Sequence, residues 1–221
     1  MLDVSHSQSD AQIDVSAGEI TRQKIMDAAE ALIIEHGFAA TSLRAIATAA
    51  SVNLAATHYH FGSKQGLLAA VFHRRLGPLG EARLAALSRL QTGQKSPAVH
   101  AILEAFFLPF YEAQGSELLA ILPGLVGRMY AESARLMQPI LQEEFSEVAS
   151  RYIGALEVAC PGVAVEELQW RFHFMIGAMI QLLRFQAPLG REASEETLLQ
   201  GLDRLLAFTT AGIEQTAGGL Q

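Results

Sequence analysis

The chain has 221 residues, half of them hydrophobic and 18% charged, which excludes a disordered polymer and allows one or two domains with a sizeable core. Sixteen Lys and Arg against 23 Asp and Glu leave a formal net charge of −7, so a uniformly basic nucleic-acid coat is excluded, though a local basic face is not. The one cysteine, Cys160, rules out an intrachain disulfide and a cysteine-rich zinc site, and no apolar run reaches the ~18–20 residues of a membrane helix.

Residues 1–16 carry three Asp and no base. Lacking an apolar stretch and a basic start, they read as a disordered tail rather than a secretory leader, and the expected location is the cytoplasm. Residues 17–76 carry six bases against four acids, and the remainder ten against sixteen. The most basic part of an acidic chain is thus its first compact segment, a pattern that points to a nucleic-acid-facing module. At its end, Arg74 and Arg75 read as a solvated face.

Apolar spacing is helical nearly everywhere, and no segment alternates with period two, so the expected fold class is all-α. Ile25, Ala28, Ala29, Leu32 and Ile33 form one face of a first helix, begun by a Ser16–Glu19 capping box or by Thr21 and stopped by Gly37. Thr41 and Ser42 are N-cap candidates for a short second helix with a buried face of Leu43, Ile46, Ala47 and Ala50. Ser51-Val52-Asn53 turns the chain into a third short helix, about 54–60. Ser63 then caps a fourth, and Pro78 is expected to kink or break it. Further helices are expected near 81–91, 97–113, 117–131, 133–159, 164–187 and 194–216, separated by Gly93, Gly115, Pro161-Gly162 and Pro188-Leu189-Gly190.

Three helices within about 40 residues, the last two short and closely joined, have helix-turn-helix form. The third could lie in the major groove. On it Asn53 and Thr57 can hydrogen-bond base edges, while Leu54, Ala55 and Ala56 can touch thymine methyls. Thr41, Ser42, Arg44, His58, Tyr59 and Lys64 stand at helix ends and edges, where phosphates are reached. The divisions expected are the tail (1–16), a helix-turn-helix domain (17–63), a linking helix (64–77) and a C-terminal helical domain (78–221).

Four runs occur in order over residues 20–72: Thr21-Arg22-Gln23-Lys24-Ile25, Glu35-His36-Gly37-Phe38, Thr41-Ser42-Leu43-Arg44-Ala45-Ile46-Ala47 and Tyr59-His60-Phe61-Gly62-Ser63-Lys64. Together they resemble the TetR/AcrR family of bacterial one-component repressors. Val52-Asn53-Leu54-Ala55-Ala56, Leu76-Gly77-Pro78-Leu79 and the run from Trp170 to Ala178 resemble, more narrowly, the PsrA-like fatty-acid-responsive subgroup. The resemblance implies that residues 78–221 form a ligand-binding and dimerisation domain, with a homodimer formed through the last two helices, a palindromic double-stranded DNA operator, and a small-molecule effector. There are departures: the family usually has Gly where Ser51 stands, often an apolar residue at Thr57, and Tyr at His58.

In the C-terminal half, large apolar residues are plentiful. Most read as core; Phe106, Phe110, Val126, Arg128, Met129, Tyr130, Trp170, His173 and Phe174 are the candidate lining of a ligand cavity. Arg128 or His173 could meet a carboxylate head group. Cys160 reads as a plain buried thiol. The chain has no Gly-rich phosphate loop, nucleophile elbow or His-Glu zinc motif, so neither an enzyme nor a cofactor or metal site is expected. The leading expectation is a ligand-released repressor with no membrane partner; a helical interaction module without DNA binding is the alternative.

Overall fold

The computed structural model describes residues 17–93, 96–132, 134–188 and 192–215; for residues 93, 128–131 and 134 it describes the backbone alone. The expected tail and Ser16 lie outside this set. Nine helices and no strand occur among the described residues: α1 (Ala17–His36), α2 (Leu43–Ala49), α3 (Leu54–Phe61), α4 (Lys64–Gly93), α5 (Val99–Glu112), α6 (Glu117–Ala131), α7 (Ala134–Ala159), α8 (Val165–Phe185) and α9 (Glu195–Glu214). No helix among them is long and apolar enough to cross a membrane.

The local signals explain most boundaries. Gly37 adopts φ 83° after α1, and its N–H donates to the Ile33 carbonyl, as at a left-handed helix end. Thr21 is not a cap. It lies inside α1, and its hydroxyl donates back to the Ala17 carbonyl. Ser194 caps α9 in a reciprocal box with Thr197.

Pro78 does not break the chain. α4 continues through it from Lys64 to Gly93, across the division expected there. The proline removes one backbone hydrogen bond, but Leu76, Leu79 and Leu87 on either side are buried and hold the helix together. Three more helices contain an internal proline: Pro109 in α5, Pro123 in α6 and Pro139 in α7.

α5 is apolar on almost every side, with Val99, Ile102, Leu103, Phe106, Phe107 and Phe110 buried, and it packs on α4, α7 and α9. Phe106 meets Phe107, Tyr152 and Phe172 edge-on at centroid distances of 5.5, 5.1 and 5.5 Å. This aromatic cluster joins α5, α7 and α8.

Candidate nucleic-acid interface and ligand cavity

Ser42 caps α2, its Oγ accepting from the Ala45 N–H at 3.1 Å. Ile46, Ala47 and Ala50 are buried, and the small side chains let α2 and α3 approach. The turn closes through the Val52 N–H to the Ala47 carbonyl and places Ser51 at φ 56°. The glycine-like conformation of the turn is therefore kept, although a side chain is present.

Asn53 caps α3: its Oδ1 accepts from the Ala56 N–H at 2.7 Å. The cap orients the side chain and leaves Nδ2 as a donor toward solvent. Gly62 ends α3 at φ 68°, and Ser63 Oγ accepts from the Gly66 N–H at 3.0 Å to start α4. Gly66 is required here, because a Cβ would run into the Phe61 carbonyl oxygen.

On this scaffold Ser42, Arg44, Asn53, Leu54, Ala55, His58 and Tyr59 are exposed, and Ala56 is half-buried. Tyr59 is 86% exposed. His58 Nδ1 lies 3.3 Å from the Gly62 carbonyl oxygen. Lys64 is half-buried: its ammonium sits 4.1 Å above the Phe38 ring and donates to the Ala39 carbonyl at 3.4 Å.

Two of the expected contact residues face the other way. Thr57 is 1% exposed, and its hydroxyl has no partner among the described residues. An eight-residue helix must turn one side inward to be held, and Thr57 is on that side. Thr41 is also buried; its hydroxyl donates to the Gly37 carbonyl at 2.8 Å and to that of Leu32 at 3.3 Å, tying the loop to α1. The Arg74–Arg75 pair is not a solvated face either. Arg75 donates to both oxygens of Glu30, at 2.8 and 2.6 Å, and Arg74 donates to Glu30 at 2.8 Å and to Asp27 at 2.6 Å. Burial would push the Glu30 carboxyl up, but hydrogen bonds from Arg75 and Arg74 outweigh it and hold it below its ordinary value. Two of the six bases of the basic segment 17–76 thus clamp α4 to α1.

A cavity of about 750 Å³ lies among α4–α8. Phe106, Phe110 and Val126 line it, and so does His173, at an exposed position. Trp170 and Phe174 do not. They are 60% and 64% exposed on the outer side of α8, where their i, i+4 spacing stacks them with centroids 5.8 Å apart. The side chains of Arg128, Met129 and Tyr130 lie outside the described residues. Sequence reasoning missed Arg83, which lines the cavity. Its Nε donates to the Phe106 carbonyl at 3.1 Å.

The cavity and the reading head share supports. α4 carries Leu76, Leu79 and Arg83 on the cavity wall, and Arg74 and Arg75 in the clamp on α1. α6 carries Leu122 and Val126 on the wall and passes α1 at Gly124, beside Ile34. Just beyond α6, Glu132 accepts from the Phe38 N–H at 3.0 Å.

Residues 25–71 match the family model for bacterial regulatory proteins of the tetR family, and residues 104–212 match that for a tetracyclin repressor-like C-terminal domain. The chain belongs to the TetR family of transcriptional regulators. It is 29% identical to the HTH-type transcriptional regulator BetI of Rhizobium meliloti, over 79% of this chain and 84% of that one. The fold is similar to a transcriptional regulator of Pseudomonas aeruginosa PAO1 (TM-score 0.63, 19% identity, 87% and 91% of the two chains). It is also similar to SmeT, the repressor of the Stenotrophomonas maltophilia multidrug efflux pump SmeDEF (TM-score 0.59, 23% identity, 86% and 92%), which is also known in complex with triclosan. TetR-family regulators are DNA-binding transcription factors, not enzymes.

Proposed function

We propose that this regulator is a repressor that binds a palindromic operator as a homodimer and is released when an apolar or amphipathic molecule of the fatty-acid or acyl type occupies its cavity. The observation that carries this reading is the sharing of α4 and α6 between the cavity wall and the head. A ligand favouring a different spacing of these helices changes the angle of α3, and only that difference in affinity between two arrangements moves the protein off DNA. A coupling of ~1–3 kcal/mol corresponds to ~5–150-fold in operator affinity.

Within the head, Asn53 Nδ2, His58 and Tyr59 are the exposed polar groups of α3, with Leu54 and Ala55 placed for methyl contacts. Ser42, Arg44 and Lys64 flank them for phosphates. Because α3 carries few hydrogen-bonding groups, operator preference leans on DNA shape as well.

The dimer reading is supported by the exposed aromatic surface of the last two helices: Trp170 and Phe174 on α8, and Phe208, 73% exposed, on α9. Met175, Met179, Leu183, Leu198, Leu202, Leu205 and Leu206 are buried within the protomer, so its core uses the inner faces of α8 and α9.

The test is a mobility-shift titration against the DNA upstream of the protein's own gene, with selection from genomic fragments at low salt beside it. Saturable binding with two protomers per site supports the proposal. Absence of binding to any fragment overturns it in favour of an interaction module.

A further inference from the structure

Arg83 has no use in DNA binding, and its surroundings are chemically unusual. It is 2% exposed at the inner part of the cavity, among Leu79, Phe110, Val148, Phe172 and Met179. Nε is spent on the Phe106 carbonyl, and Nη2 has only the weak acceptor Met179 Sδ at 3.6 Å. The guanidinium lies 3.9 Å from the Phe106 ring centroid and 5.2 Å from that of Phe110. Nη1 has no acceptor among the described residues, and no acid among them pairs with the group. Tyr152, the nearby polar side chain, donates its hydroxyl to the Arg83 backbone carbonyl instead.

A buried charge without a counter-charge is expensive, and stacking on two rings offsets only part of the cost. Burial pushes the guanidinium down to about 10, which still leaves it a cation at neutral pH. The other ionisable group on the wall among the described residues, His173, is at an exposed position. Among the described residues the wall therefore offers one buried, fixed positive charge with two unused N–H donors on Nη1; Gln138, Gln142, Gln169 and His173 are its other polar members, all at exposed positions, and the rest is apolar.

We propose that Arg83 anchors the carboxylate of a monoanionic ligand whose apolar part fills the rest of the cavity. This rests on the cavity being the effector site. One guanidinium matches one negative charge: a phosphate dianion would remain half-compensated, a cationic amphiphile would be repelled, and an ester or thioester would leave Arg83 unpaired. Gln142 of α7 and Gln169 and His173 of α8 are exposed lining residues and mark the polar mouth through which the ligand enters.

The test is calorimetric titration of the full chain, without DNA, using dodecanoate, methyl dodecanoate and dodecyltrimethylammonium below their micellar concentrations. Wild type should bind dodecanoate at least tenfold more tightly than the ester, and the cation more weakly than either. Arg83→Met should erase the preference for dodecanoate over the ester, and Arg83→Lys should retain part of it. An anchor deprived of its ligand is a liability, so Arg83→Met should melt no lower than wild type without ligand; a purely structural tie between α4 and α5 would instead lower Tm and leave relative affinities alone. Equal wild-type binding of acid and ester overturns the anchor, as does a preference that survives in Arg83→Met or failure of all three probes to bind. Because no operator is present, none of these results bears on the DNA-binding reading, which the mobility shift tests separately.

Discussion

Replacing Thr57 by valine separates a base-reading residue from a supporting one. The side chain is buried, and its hydroxyl finds no partner among the described residues. Valine keeps the β-branched shape and removes the group that was desolvated for nothing. An unsatisfied buried hydroxyl costs about 1–3 kcal/mol, so Thr57→Val should gain about 1–2 kcal/mol, allowing for imperfect repacking. At about 2–4 °C per kcal/mol for a chain of this size, Tm should rise by about 2–8 °C. The assay is thermal unfolding followed by circular dichroism at fixed protein concentration, since any self-association makes Tm concentration-dependent. Operator affinity, read by fluorescence anisotropy, should not change. A lower Tm, or an altered preference at one base pair, would refute the assignment of Thr57 to the interior.

Four other outcomes are expected. Glu30→Gln should cost about 3 kcal/mol, because two guanidiniums lose their shared carboxylate; since the Glu30 carboxyl lies below its ordinary value near 4.5, the clamp is complete above that pH and fades as pH falls through the lower folded value, so the wild-type and variant Tm curves should converge in acid, and a constant gap would contradict it. Ser51→Gly should raise the unfolding free energy by about 0.5–1 kcal/mol, the left-handed strain relieved less the entropy glycine loses, and a lower value in denaturant titration would show that the turn gains from its side chain. Asn53→Asp keeps the cap, so stability should hold within about 0.5 kcal/mol, while an added negative charge on the DNA side weakens operator binding by about tenfold or more; unchanged affinity would put residue 53 off the DNA. Trp170→Glu should shift the sedimentation mass toward a single chain with helix content intact, and a persistent dimer would place the interface elsewhere.

What could be read from the sequence was local. Helical spacing, the caps at Ser42 and Ser63, and the Gly37 stop depend on neighbours within four residues, and the structure repeats them. Contacts between distant helices were hidden. Arg74 and Arg75 look solvated until α1 brings Glu30 beside them, 44 and 45 residues away. Arg83 looks like any other arginine on a long helix, and only the closure of α5 and α8 over it makes it a buried cation. Trp170 and Phe174 resemble core by size, yet they face outward on α8, and residue size alone does not say which side of a helix is covered; the proposed dimer would cover them. Thr57 was misread because hydrogen-bonding capacity alone does not say which side of a short helix a residue occupies.

The four internal prolines have a joint consequence. Pro78, Pro109, Pro123 and Pro139 sit one in each of α4 to α7, within a few residues of the lining side chains Leu79, Phe110, Leu122 and Leu141. Each omits a rung from its helix ladder, and a helix flexes most cheaply where a rung is missing. Four of the five staves around the chamber are therefore jointed, with α8 the unjointed one, and an effector of the proposed kind would be accommodated by small changes of bend in α4 to α7.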